Sequence, residues 1–145
     1  MASFRYSVTV PRAPEEVFPW LLEADKVPQW TGSLDAYAVV GDGALHAGSR
    51  IRQTLEVSGH KVDVEMEITR YDPPHEAESR FSMSGLELVT TYAVRAAGDG
   101  ASELTQTLEG NVSGFKARML APVVQPKLEK KLTEDLDRLR DLLSS

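Results

Sequence analysis

The side chains best suited to moving a proton in this sequence are Tyr92, Arg70 and His60. Tyr92 falls in the alternating run Leu88, Thr90, Tyr92, where a phenol would face the same side as its apolar neighbours. Arg70 continues the phase of Met66 and Ile68. Such an arginine either meets an acidic ligand inside or snorkels at a strand end. His60 is in phase with Val62 and Val64, whereas His46 and His75 stand in connections. The histidines make no HxH or HExxH spacing and the chain has no cysteine, so no metal site and no cofactor is expected. Neither a GxSxG elbow nor a P-loop occurs. Asp63, Glu65 and Glu67 alternate on one face, but the pairing below hands two of them arginine partners. They read as a solvated ladder, not an acid/base pair.

A second set of residues suits binding better than catalysis. Gln53 sits between Ile51 and Leu55, Gln106 between Leu104 and Leu108, Thr90 between Leu88 and Tyr92, and Ser79 between Ala77 and Phe81. Each is polar on a face that is otherwise apolar. A buried amide or hydroxyl without a partner costs about 2 kcal/mol or more. Two arrangements relieve that cost. The groups satisfy one another, as the neighbours Tyr92 and Gln106 would, or they face a pocket that is mostly apolar with a few polar anchors. The wall of such a pocket would include Met66, Phe81, Met83, Tyr92, Phe115 and Met119. Methionines suit an adaptable surface, and the same residues would equally fill an ordinary core.

These positions need strands to present them. Residues 4–10 alternate, with Phe4, Tyr6, Val8 and Val10 on one face, and Pro11 and Pro14 end the run. Pro14-Glu15-Glu16 reads as a helix start, followed by Val17, Phe18, Trp20, Leu21 and Leu22. A short turn from Asp25 to Trp30 is expected to break at Pro28. From 33 to 110 turn signals recur at Gly41-Asp42-Gly43, Ser58-Gly59, Asp72-Pro73-Pro74, Ser84-Gly85 and Gly98-Asp99-Gly100. Folding residues 50–67 about Ser58-Gly59 sets Glu56 against Lys61, Arg52 against Glu65 and Arg50 against Glu67. The other face then pairs Leu55 with Val62, Gln53 with Val64 and Ile51 with Met66. Opposite charges outside and apolar pairs inside identify a half-buried hairpin. The later turns continue the register: Met66 with Phe81, Phe81 with Leu88, Arg95 with Glu103 and Tyr92 with Gln106. Beyond Lys127, Leu128, Leu132, Leu136, Leu139 and Leu143 form one helical stripe, preceded by a kink or break at Pro122 and Pro126.

With 145 residues, 41% hydrophobic and 26% charged, the chain fits a single domain, 1–145. The net charge of -6 and the lack of a basic stripe argue against nucleic acid. No apolar run reaches the ~18 residues of a bilayer span, and the first residues do not resemble a signal peptide. A cytoplasmic protein, monomeric or weakly dimeric, without stable membrane insertion, is expected.

The order of strand, two short helices, six-strand meander and long C-terminal helix resembles the START/polyketide-cyclase superfamily, also called SRPBCC, in its polyketide cyclase/dehydrase-like branch. The resemblance covers nearly the whole chain. It is carried by Val10-Pro11-Arg12-Ala13-Pro14-Glu15-Glu16-Val17-Phe18-Pro19-Trp20, by Leu22 to Trp30, by Gly48-Ser49, and by Leu120-Ala121-Pro122 through Asp135-Leu136-Asp137-Arg138-Leu139. It implies an α+β helix-grip fold: a curved seven-stranded antiparallel sheet wrapped around a long C-terminal helix, with two short helices between strands 1 and 2. It also implies a cavity between sheet and helix, with Trp30 near its mouth as lid or wall, or else as a core anchor for the short helices. A fold of this kind does not fix a reaction. The expectation is a binder of a small hydrophobic or amphipathic molecule, a polyketide-like aromatic or a lipid. The alternative is a metal-free cyclase, aromatase or dehydratase working by confinement, and a third is a chaperone-cofactor or toxin-like interaction module.

Overall fold

A computed structural model describes residues 2–32, 34–41, 43–57, 59–83, 86–112 and 115–144, with side chains left undescribed at 2, 57, 83, 86, 111, 112, 115–121, 123 and 124. The elements follow in the order β1 (Ala2–Val10), α1 (Pro14–Val17), a 3-10 turn (Phe18–Trp20), α2 (Val27–Trp30), β2 (Leu34–Val40), β3 (Arg50–Val57), β4 (His60–Asp72), β5 (Glu76–Met83), β6 (Leu86–Ala96), β7 (Ser102–Val112) and α3 (Phe115–Leu143). All seven strands join one antiparallel sheet in the order β1-β7-β6-β5-β4-β3-β2. This is the helix-grip arrangement.

The hairpin register follows from side-chain chemistry. Arg50 faces Glu67, Arg52 faces Glu65 and Ile51 faces Met66 across β3 and β4. Slipping this ladder by one residue would turn the buried Ile51, Met66 and Ile68 out to water. On the outer face Glu65 collects both arginines, Arg50 at 3.2 Å and Arg52 at 3.7 Å. Gly59 (φ +80°) allows the tight reversal between the two strands.

The structure corrects the expected course of the chain in three places. Pro28 does not break α2 but sits in its first turn, where its missing N–H has no helical partner to lose. The break expected at Pro122 and Pro126 does not occur: both lie inside α3, which continues through them, and both are exposed. The third correction is a bulge. Ile68 pairs with Ser79, but the next pair is Arg70 with Glu78. The extra residue at Thr69 reverses the phase, so Tyr71 takes the inner face and Arg70 the outer one. There Arg70 meets Glu76 in a close contact and Glu78 at 3.1 Å.

The helix α3 has 29 residues and is about 43 Å long. Its second half buries Leu136, Leu139 and Leu143 against Val8, Val10 and Leu104 of β1 and β7. Val17, Phe18 and Trp30 from the short helices join the same cluster. Among the described residues, no helix is long and apolar enough to cross a membrane.

Candidate functional site

The concave face of the sheet grades from one end to the other. Where β1 leaves and β7 begins, the inward residues Val8, Val10, Val94 and Leu104 are buried. Further along the sheet, Phe4, Leu55, Val62 and Phe81 keep partial exposure, interspersed with the buried Ile51, Ile68, Leu88 and Leu108. Gln53, Tyr92 and Gln106 lie between these ends.

Gln106 is 4% exposed. Its Nε2 donates to the Tyr92 hydroxyl at 3.3 Å, while its Oε1 is buried and has no partner among the described residues. A buried acceptor left unmade costs about 1–3 kcal/mol. Tyr92 keeps some exposure, yet burial, helped by the Asp135 carboxylate, raises its pKa well above the usual 10.0. At neutral pH this phenol is therefore a donor and not a base. Gln53 is half-buried, with Nε2 at 3.6 Å from Met66 Sδ, a weak contact. Ser79 and Thr90 are buried between these groups on β5 and β6.

Two residues at this face escaped sequence reasoning. Tyr37 of β2 pairs with Gln53, and its hydroxyl donates to the Leu22 carbonyl at 2.6 Å. Burial raises its pKa strongly, with a further contribution from Tyr92. A bulge between Leu34 and Ala36 hides Tyr37 from a simple alternation count, leaving only the Tyr37/Val39 spacing as a signal. The second is Asp135, 3% exposed, whose carboxylate accepts from Gly32 N–H at 3.0 Å, Lys131 Nζ at 2.6 Å and Arg138 at 3.1 Å. A charged residue beside Leu136 gives no sequence sign of such burial.

The expected site residues thus divide. Gln53, Met66, Phe81, Thr90, Tyr92 and Gln106 share the concave face, with Tyr92 and Gln106 directly paired. Met83, Phe115 and Met119 belong to β5 and α3, but their side chains lie outside the described residues. Trp30 is buried in the cluster that also holds Ile51, Met66 and Leu104. Its indole N–H donates to the Trp20 carbonyl at 2.8 Å, and its own carbonyl accepts from Arg138 at 2.8 Å. It anchors the short helices to α3, because a buried indole needs a fixed acceptor. Arg70 and His60 are both exposed, Arg70 on the outer face and His60 at the first residue of β4. Neither joins Tyr92. His46 and His75 are also exposed. A separate groove of about 280 Å³ runs along α1, floored by Phe18, Tyr71 and Pro74 and flanked by Glu15 and Glu23.

Comparison with known proteins agrees with this architecture. The chain matches, over residues 1–144, the family described as polyketide cyclase / dehydrase and lipid transport. Among solved structures, the di-domain aromatase/cyclase BexL from the BE-7585A biosynthetic pathway superposes with a TM-score of 0.78 at 16% identity, covering 97% of this chain and 46% of that one. A START superfamily protein from Mycobacterium smegmatis gives 0.75 at 13%, covering 98% and 99%. A norcoclaurine synthase point mutant from Thalictrum, bound to a transition-state analogue, gives 0.72 at 14%, covering 98% and 93%. At such identities the likeness is one of fold. No curated protein matches the sequence significantly. The family match spans nearly the entire chain, and the chain belongs to that family.

Proposed function

We propose that this member of the polyketide cyclase, dehydrase and lipid transport family takes up a small hydrophobic or amphipathic molecule between the concave face of the sheet and α3. One observation carries the reading: the Gln106 Oε1, buried and unpartnered in the middle of an apolar face. On the same face, Gln53, Phe81 and Tyr92 retain partial exposure although they point away from the outer surface. A filled core would bury these side chains and pair that oxygen, whereas a pocket wall has apolar surface with a few polar anchors.

The test is uptake of a neutral fluorescent apolar probe, N-phenyl-1-naphthylamine. The expected result is saturable binding at one probe per chain, lost in Thr90→Trp, which fills the space from β6. Absence of uptake by the folded protein, or full uptake by a folded Thr90→Trp, overturns the reading. Native mass spectrometry of protein from its own host then identifies a retained molecule.

A second reading, cyclisation or dehydration of a polyketide-like chain in the same space, draws support from the likeness to BexL and from Tyr92. Held protonated, this phenol can donate to a developing oxyanion while confinement orders the chain. In that case Tyr92→Phe abolishes turnover and leaves probe uptake intact. Loss of both together would assign Tyr92 to binding alone.

A further inference from the structure

We propose that Gln106 and Tyr92 together form a hydroxyl-recognising subsite: the bound molecule enters with an alcohol or phenol foremost, donating to Gln106 Oε1 and accepting from the Tyr92 O–H. The proposal rests on the binding reading above and adds the chemistry of the guest's buried end.

The argument is one of hydrogen-bond counting. Gln106 Nε2 donates to the Tyr92 oxygen at 3.3 Å. This occupies a lone pair on the phenol and leaves its proton free. The amide oxygen is buried without a partner among the described residues. Turning the amide over moves the deficit without removing it: the phenol would then donate to Oε1, and Nε2 would be the group left over. The pair therefore lacks one acceptor and one donor, or one acceptor alone, according to the amide's setting. A hydroxyl is both donor and acceptor, so it completes either arrangement.

With the amide set as it stands here, other polar groups fit less well. A ketone or ether accepts from the Tyr92 O–H but cannot donate to Oε1. A carboxylate has the same failing and also carries charge. The carboxylate of Asp135, paired with Lys131 and Arg138, lies close enough to act on Tyr92. Tyr6, the β1 partner of Gln106, donates its hydroxyl to Asp137 at 2.7 Å. Ser79 and Thr90, the nearest inward residues on β5 and β6, are uncharged, so among the described residues no cation free of an acid partner is shown beside the pair to receive an anion. A site that hydrogen-bonds a buried hydroxyl discriminates sharply against analogues lacking it.

The experiment measures binding of 2-naphthol, 2-methylnaphthalene and 2-naphthoate to the full chain by titration calorimetry at pH 7. These three share a ring system and differ in the polar end. The expected result is 2-naphthol tighter than either of the others by about tenfold or more. In Gln106→Leu, 2-naphthol and 2-methylnaphthalene should bind alike. Gln106→Met serves the same purpose should the leucine variant fail to fold. Equal binding of the three by the wild-type chain overturns the proposal, as does preference for naphthoate. Persistence of the naphthol preference in a folded Gln106 variant overturns it too. If N-phenyl-1-naphthylamine is still taken up in those cases, the binding reading survives and only the hydroxyl subsite is lost. If neither the naphthalenes nor the amine probe binds, both fall together.

Discussion

The two ends of the concave face are built to different specifications. At one end Val8, Val10, Val94 and Leu104 are buried together with Leu136 and Leu139 of α3. The short helices seal that end with Val17, Phe18 and Trp30. Towards the other, Phe4, Leu55, Val62 and Phe81 stay partly exposed, interspersed with the buried Ile51, Ile68, Leu88 and Leu108. Stability is thus concentrated where α3 ends. The remaining face is relieved of part of the packing duty and can carry Gln53, Tyr92 and Gln106, which a sealed core would tolerate poorly.

Substitutions should separate the two ends. The largest effect is expected at the sealed end: Leu104→Ala leaves a cavity with no route to collapse and should lower stability by about 3–4 kcal/mol in urea titrations. A loss below about 1 kcal/mol would mean that this end is no better packed than the other.

The next effect is alkaline. Tyr37 and Tyr92 both have folded pKa values raised above 10.0. Their contribution is complete below pH 10 and declines as pH rises above it, because the unfolded chain can then ionise where the folded one cannot. Up to about 1.4 kcal/mol per group should go for each pH unit above 10. Comparing urea midpoints at pH 8 and pH 11 measures this, and the loss should shrink in Tyr37→Phe. An unchanged slope in that variant would count against its burial.

Phe81→Ala should cost about 1–2 kcal/mol, less than the 3–5 kcal/mol usual for a fully packed phenylalanine, yet weaken N-phenyl-1-naphthylamine uptake more than Leu104→Ala does. The reverse ranking would erase the distinction between the ends. Smallest of all is Arg70→Ala. Its side chain is 52% exposed in its contacts with Glu76 and Glu78, so the change should stay within about 0.5 kcal/mol and leave probe binding as it was.

Much of this arrangement was legible beforehand for identifiable reasons. Opposite charges on one face of β3 and β4, and apolar pairs on the other, tie the register to a single alignment, and the turns carry it through β5, β6 and β7. That alignment alone sets Gln53, Thr90, Tyr92 and Gln106 on one face. Arg70 was misplaced because a period of two assumes an unbroken pleat, and Thr69-Arg70-Tyr71 offers either of two residues as the next inward one. The acids Glu76 and Glu78 were the available hint, since a cation facing them gains partners that an interior would deny it. The core-anchor reading of Trp30 agrees with its burial and its bond to the Trp20 carbonyl. Asp135 was opaque for another reason: its burial depends on Gly32, Lys131 and Arg138, brought together by the packing of α2 on α3, which no local pattern records.

The bulge in β4 decides on which side of the sheet a charge sits. Were Thr69 to take Glu78 as its own partner, an unbroken pleat would set Arg70 against Ala77 on the concave face and turn Tyr71 out to water. Two residues set against one therefore keep that guanidinium on the outer face, where Glu76 and Glu78 meet it.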